Sequence, residues 1–238
     1  MWLHGFPDCP ATATDFFRAL DRRVIAPYLR GYAPSPTTGP FDVEALATDV
    51  IALLDRVGGP VDLVGHDWGA IIAYTICMRA PERVRRAVTL AVPHPRTFMR
   101  GLRRPAQLRR SWYMAFFQLP GAARVTAARD FALVDRLWRV WSPGFTLDAA
   151  RRRELHDCLA ASWPSPLRYY RPQRFRGDLI TTPVLQLHGA DDGCILPPTG
   201  DDAHRFAERV LTVVPNTGHF LHLEDPTGIA ARITSWLA

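Results

Sequence analysis

Apolar and polar positions change period several times along the chain, and the changes mark out its elements. Over residues 41–57 the apolar side chains Val43, Leu46, Val50, Leu53, Leu54 and Val57 recur at helical spacing, and Gly58-Gly59-Pro60 stops the helix. Val61, Leu63 and Val64 then read as a buried strand that enters Gly65-His66-Asp67-Trp68-Gly69-Ala70, after which an apolar helix continues to about Arg79. Residues 87–92 read as another fully buried strand, 184–188 and 210–214 as further strands, and 226–237 as a closing helix. Shorter elements are expected at 14–20 (helix), 24–27 (strand) and 201–209 (helix). Strands alternating with helices predict a mostly parallel sheet with helices on both faces.

Between about Pro93 and Arg174 the alternation stops. Apolar and aromatic clusters at helical spacing are divided there by Pro120-Gly121, Pro143-Gly144 and Pro164-Ser165-Pro166, and no strand pattern is found. The expected organisation is an α/β core in two parts, 1–92 and 176–238, separated by an all-helical insertion over 93–175. Met1-Trp2-Leu3 runs straight into His4-Gly5-Phe6-Pro7-Asp8, a loop of a kind that follows a complete strand. The expectation is that N-terminal strands of the sheet are missing.

Composition narrows the class. With 47% hydrophobic and 22% charged residues the chain reads as a soluble globular protein. A net charge of +6 would suggest an acidic partner, but all 29 basic residues are arginine, which looks like a compositional habit. The densest run, 96–110, holds six arginines interrupted by apolar residues and reads as a solvated helical face, so no nucleic-acid partner is expected. Cys9, Cys77, Cys158 and Cys194 lie far apart with no CxxC spacing, which indicates neither a metal site nor a disulfide framework. No apolar run is long enough to span a membrane and the first residues lack a signal-peptide pattern, so the expected location is cytoplasmic.

Candidate chemistry centres on Asp67. Gly65-x-Asp67-x-Gly69 has the spacing of a nucleophile elbow, a tight strand-to-helix turn that tolerates only small residues on either side of the exposed one. A carboxylate there can attack carbon and leave an ester on the enzyme. Asp67 would also serve as an ordinary helix N-cap, but the paired glycines favour the elbow. Asp192 and His219 each follow a strand end, the edge where open α/β sheets build their sites. Asp191 and His222 compete with them; Asp192 stands three residues beyond Gly189, and His219 directly follows Gly218. No carboxylate lies between Thr89 and Arg110, so the loop after His188 is the expected source of the acid. Nucleophile, acid, histidine is the chain order of the α/β-hydrolase triad.

The chain resembles the α/β-hydrolase superfamily and, more closely, its epoxide hydrolase branch. His4-Gly5-Phe6-Pro7 is similar to the family's HGxP loop, Gly65-His66-Asp67-Trp68-Gly69-Ala70 to its aspartate elbow, and Pro93-His94-Pro95 to the segment after its middle strand. Residues 111–121 and 167–171 resemble the cap segments that carry its two tyrosines. The resemblance implies an α/β-hydrolase fold with a helical cap and Asp67 as nucleophile. Tyr113 and Tyr170 would donate to the epoxide oxygen, and His219 with Asp192 would activate water. It also implies an oxyanion hole from the backbone N–H groups of Phe6 and Trp68, and substrate contacts from His4, Trp112 and Phe117. No metal or organic cofactor is implied; the substrate would be a small apolar epoxide and the protein a monomer or homodimer. Without the resemblance, Trp112, Tyr113, Phe116 and Phe117 read as the packing stripe of a helix. Tyr28 and Ala33 depart from the family pattern, where aspartate and glycine are usual.

Two other readings remain open at this point. A haloalkane dehalogenase would share the aspartate and histidine, with Trp68 and a cap tryptophan such as Trp112, Trp138 or Trp163 holding the halide; its fluoroacetate-cleaving relatives usually have arginine where Trp68 stands. A truncated, non-catalytic hydrolase-like protein is the third.

Overall fold

A computed structural model describes residues 1–238. Five strands, β1 (Trp2–Leu3), β2 (Val61–His66), β3 (Val84–Leu90), β4 (Val184–Gly189) and β5 (Arg209–Val214), form one sheet in chain order. Every neighbouring pair is parallel. Helices α1 (Thr14–Ala19), α2 (Val43–Val57) and α3 (Trp68–Arg79) precede β3. Helices α4 (Pro95–Gly101), α5 (Pro105–Arg110), α6 (Trp112–Phe116), α7 (Ala122–Trp141) and α8 (Ala149–Ser162) fill the stretch between β3 and β4, and α9 (Leu221–Glu224) and α10 (Pro226–Leu237) follow β5.

Local chemistry accounts for the main elements. Asp42 caps α2 by accepting the Ala45 N–H at 3.0 Å, and Gly58 ends it at φ 76°. The buried stripe Val43, Leu46, Val50 and Leu54 packs α2 onto α3. In α3 every residue from Trp68 to Cys77 is buried, which its apolar sequence permits on all sides. Side chains alternate across the sheet: Leu63 joins the large core under α2, α3 and the helices from α6 to α8, while Val64 joins the smaller core under α1 and α10. No helix is long and apolar enough to cross a membrane. All four cysteine thiols are free.

Three elements differ from the sequence expectation. Residues 24–27 form no strand: Ile25 gives β1 one backbone bond, from the Trp2 N–H at 2.8 Å, and Pro27 has no N–H to extend a ladder. Residues 201–209 hold only a single 3₁₀ turn, Ala203–Arg205. Asp202 is drawn inward there to accept from Thr97 at 2.7 Å and pair with Arg209 at 2.5 Å, which a solvated amphipathic helix would not permit. β3 starts earlier than expected and stops at Leu90, where Ala91 takes φ 66°.

The turn between β2 and α3 is a point of contact between two main chains. Asp67 adopts φ 50° and ψ −118°, a conformation costly for a residue with a side chain. It is held because α3 lies directly against the end of β1: a Cβ on Gly69 would sit 2.0 Å from the Leu3 carbonyl oxygen, and one on Gly65 2.3 Å from the Gly69 carbonyl oxygen. Neither backbone atom can move aside as a side chain would. Gly69→Ala is therefore expected to lose at least about 3 kcal/mol, the upper end of the usual overpacking cost. Gly101→Ala, where an added Cβ meets nothing within 4 Å, should stay within about 0.5 kcal/mol of the parent or gain slightly. Urea unfolding of the two variants checks the contrast.

Candidate active site

Asp67, Asp192 and His219 come together at the carboxyl edge of the sheet, from the ends of β2, β4 and β5 respectively. All three are buried. His219 Nδ1 and Asp192 Oδ2 are 2.9 Å apart, and Nε2 faces Asp67 Oδ2 at 3.5 Å, a charge contact rather than an aligned hydrogen bond. Asp192 Oδ1 accepts the N–H groups of Cys194 and Ile195 at 2.7 and 2.8 Å. Asp67 Oδ1 accepts the Phe6 N–H at 2.8 Å. Burial alone would drive the imidazole towards its neutral form, but the Asp192 carboxylate, helped by Asp67, raises its pKa to about 10.

The competing residues lie elsewhere. Asp191 is exposed, and His222 packs 4.5 Å from the His66 ring with Nε2 3.8 Å from Asp8 Oδ2. Trp68 opens α3 and lines a cavity of about 140 Å³ whose floor is Asp67. Its N–H is in the first turn, where the helical ladder offers no partner.

Tyr113 and Tyr170 line the same cavity with ring centroids 5.6 Å apart, among Ile71, Val92, Pro95 and Phe98. The Tyr170 hydroxyl has no hydrogen-bond partner in the protein, whereas the adjacent Tyr169 gives its hydroxyl to the Arg30 carbonyl. Tyr113 lies 3.2 Å from Cys194 Sγ. Burial pushes both cavity phenols well above the ordinary tyrosine range, so each carries its proton at neutral pH.

Of the residues expected to touch substrate, the structure places three off the cavity wall. His4 is fully buried with Nε2 accepting the Leu29 N–H at 3.1 Å and Nδ1 3.0 Å from the Gly5 carbonyl. Its ring props the loop before Phe6. Trp112 is 44% exposed and packs on Phe116, because the short α6 turns it outward. Phe117 is buried behind the wall, against the rings of Phe6 and Tyr170.

Some parts of the site have no sequence signal. The Trp141 carbonyl at the end of α7 accepts two N–H groups, from Gly193 and His219, each at 3.0 Å. Ser142 Oγ accepts the Phe220 N–H at 2.9 Å and donates to Glu224, whose carboxylate in turn takes the Gly218 N–H. The helical stretch thus ties the acid loop to the histidine loop. A Cβ on Gly193 would lie 1.9 Å from the Val140 carbonyl oxygen, and the glycine itself was the only trace of this contact in the sequence.

Comparison with known proteins places these features in context. Epoxide hydrolase 4 of Homo sapiens is 28% identical over 258 residues, 99% of this chain and 71% of that protein. Epoxide hydrolase 2 of Siraitia grosvenorii is 37% identical over 149 residues, covering 57% of this chain and 45% of its own. The crystal structure of a point mutant of an epoxide hydrolase from Bacillus megaterium superposes with a TM-score of 0.89 at 23% identity, over 99% of this chain and 92% of that one. An epoxide hydrolase from metagenomes of hot environments gives 0.85 at 25% identity, over 100% and 89%. Residues 1–232 match the sequence model of the alpha/beta hydrolase family, and with nearly the whole chain inside that match the protein belongs to the alpha/beta hydrolase family.

Proposed function

We propose that the protein hydrolyses an epoxide to a 1,2-diol through a covalent ester on Asp67, with residues 93–175 acting as a cap over the site. The observation that carries this reading is the meeting of a carboxylate and two protonated phenols on one apolar cavity. Asp67 Oδ2 attacks an epoxide carbon, the C–O bond to the ring oxygen breaks, and Tyr113 and Tyr170 hydrogen-bond the oxygen as its charge grows. Oδ1 becomes the ester carbonyl, beside the Phe6 N–H that already holds it.

The charge pattern explains how one histidine serves both stages. Before reaction His219 sits between two carboxylates that hold its proton. Esterification removes the Asp67 charge, so the imidazole releases that proton, balancing the one the alkoxide takes up, and becomes a base for water. Water then attacks the ester carbonyl, and the Phe6 and Trp68 N–H groups face the oxyanion; loss of one such donor costs roughly 100- to 1,000-fold in rate.

The dehalogenase reading needs a second N–H for the leaving halide besides Trp68. The three tryptophans considered for it are engaged or remote: Trp138 donates to the Pro7 carbonyl at 2.9 Å, Trp163 to the Ala123 carbonyl at 3.0 Å, and Trp112 is outside the cavity. The relatives named epoxide hydrolases support the same choice.

Incubation with a styrene-oxide-type epoxide and, separately, a bromoalkane should release diol and no bromide. Asp67→Asn should abolish turnover, and His219→Gln should accumulate an adduct on the peptide containing Asp67. Tyr113→Phe combined with Tyr170→Phe should lower kcat/KM by at least about 100-fold. Diol formation that persists in Asp67→Asn sinks the proposed nucleophile, and bromide without diol favours the dehalogenase.

A pH experiment tests the charge pattern. His219 has its folded pKa raised to about 10, so its contribution to stability is complete below the unfolded value of about 6.5 and is lost as pH rises towards 10. Unfolding free energy should therefore fall over that window, less steeply in His219→Gln. In Asp67→Asn the imidazole should titrate at lower pH by NMR. An unchanged titration would contradict the assigned role of the Asp67 charge.

A further inference from the structure

We propose that Asp8, His66 and His222 form a binding site for one divalent transition-metal ion of the zinc type, separate from the residues assigned to catalysis. Asp8 follows the Phe6-Pro7 turn, His66 ends β2, and His222 lies in α9; all three side chains are fully buried. One ligand atom from each falls within 4.8 Å of the other two. Asp8 Oδ2 is 4.0 Å from His66 Nδ1 and 3.8 Å from His222 Nε2.

Hydrogen bonding fixes what these atoms offer. His66 Nε2 lies 3.0 Å from the His219 carbonyl oxygen, which can only accept, so Nε2 carries the hydrogen and Nδ1 presents a bare lone pair. Asp8 Oδ1 accepts the Cys9 N–H at 2.8 Å and the Thr12 hydroxyl, while Oδ2 has no partner in the protein. Neither nitrogen of His222 has one. Buried polar atoms are nearly always paired, and a group of three unpartnered atoms pointing at one spot calls for a shared partner. Two imidazoles and a carboxylate are the donor set that zinc and its neighbours take.

The spacing fits after an adjustment. Ligand atoms about 2.1 Å from a tetrahedral zinc ion lie about 3.4 Å apart, so the two separations from Asp8 must close by roughly half an ångström and the one between the histidines, within 4.8 Å, by at most about 1.4 Å. A cavity of about 150 Å³ lined by Thr12, Asp15, Phe16, Asp148 and His222 reaches one of the three ligands, His222. The nearby group Asp192, Cys194 and His219 is the rival location. Its atoms are already engaged, His219 with Asp192 and Cys194 with Tyr113, and metal there would displace those contacts.

The test is metal binding by the chelator-stripped protein. After dialysis against zinc and removal of free metal, elemental analysis should find one equivalent per chain, with Tm raised by several degrees over the stripped form. Asp8→Asn and His222→Gln should each weaken zinc binding by at least about 100-fold, the upper range seen when even an outer partner of a metal site is removed, and abolish the Tm shift. A map of zinc anomalous scattering from wild-type crystals decides the matter should either variant fail to fold. The proposal is overturned by no retained zinc, by zinc that His222→Gln keeps and His219→Gln loses, or by ordered water without zinc signal between the three side chains.

Discussion

The structure depends above all on keeping one buried imidazole between two buried carboxylates. Asp67, Asp192 and His219 are each buried, and together they carry more negative than positive charge. Charge taken out of water in this way is tolerated when it is paired and hydrogen-bonded. Backbone N–H groups meet one oxygen of each carboxylate, Phe6 at Asp67 Oδ1 and Cys194 and Ile195 at Asp192 Oδ1, and the second oxygens face His219. Removal of one member of such a group leaves an uncompensated charge, with a typical cost of about 3–5 kcal/mol. Loops after β1, β2, β4 and β5 must therefore all be in place at once.

Close approach of main chains supplies that precision. At the elbow, α3 sits against the end of β1 with only glycine hydrogens between them, and this contact holds Asp67 in a conformation it would not take alone. On the far side of the site the Trp141 carbonyl receives N–H groups from both the acid loop and the histidine loop. The helices between β3 and β4 consequently have two structural duties: α6 and the 3₁₀ segment Ser165–Tyr170 bring Tyr113 and Tyr170 over Asp67, and the end of α7 fixes the distance between Asp192 and His219.

Burial sets the protonation states that the proposed chemistry needs, in opposite directions for different groups. Apolar walls hold the two phenols in their neutral, donating form, whereas paired carboxylates overcome the same desolvation at His219 and keep it charged. His222, three residues on and also buried but without an acid hydrogen-bonded to it, is pushed down to about 3. Two histidines on one short segment thus differ by what faces them.

The sequence by itself determined the central strands, the tight turn at Asp67, and the chain order Asp67, Asp192, His219 at strand ends. These are local signals: runs of apolar residues, paired glycines around Asp67, and polar residues just past strand ends. The helical nature of the long middle segment was legible for the same reason. Tertiary structure alone decided which side chains line the cavity at Asp67. His4 and Trp112 carry suitable chemistry, yet one ring is engaged by the Leu29 N–H and the other is turned to solvent. The same holds for the roles of Trp141, Ser142 and Glu224, and for the meeting of Asp8, His66 and His222 from positions up to 214 residues apart. Periodicity reports which face of an element is buried, but not what another element will place against it, because that is fixed by packing between segments distant in the chain.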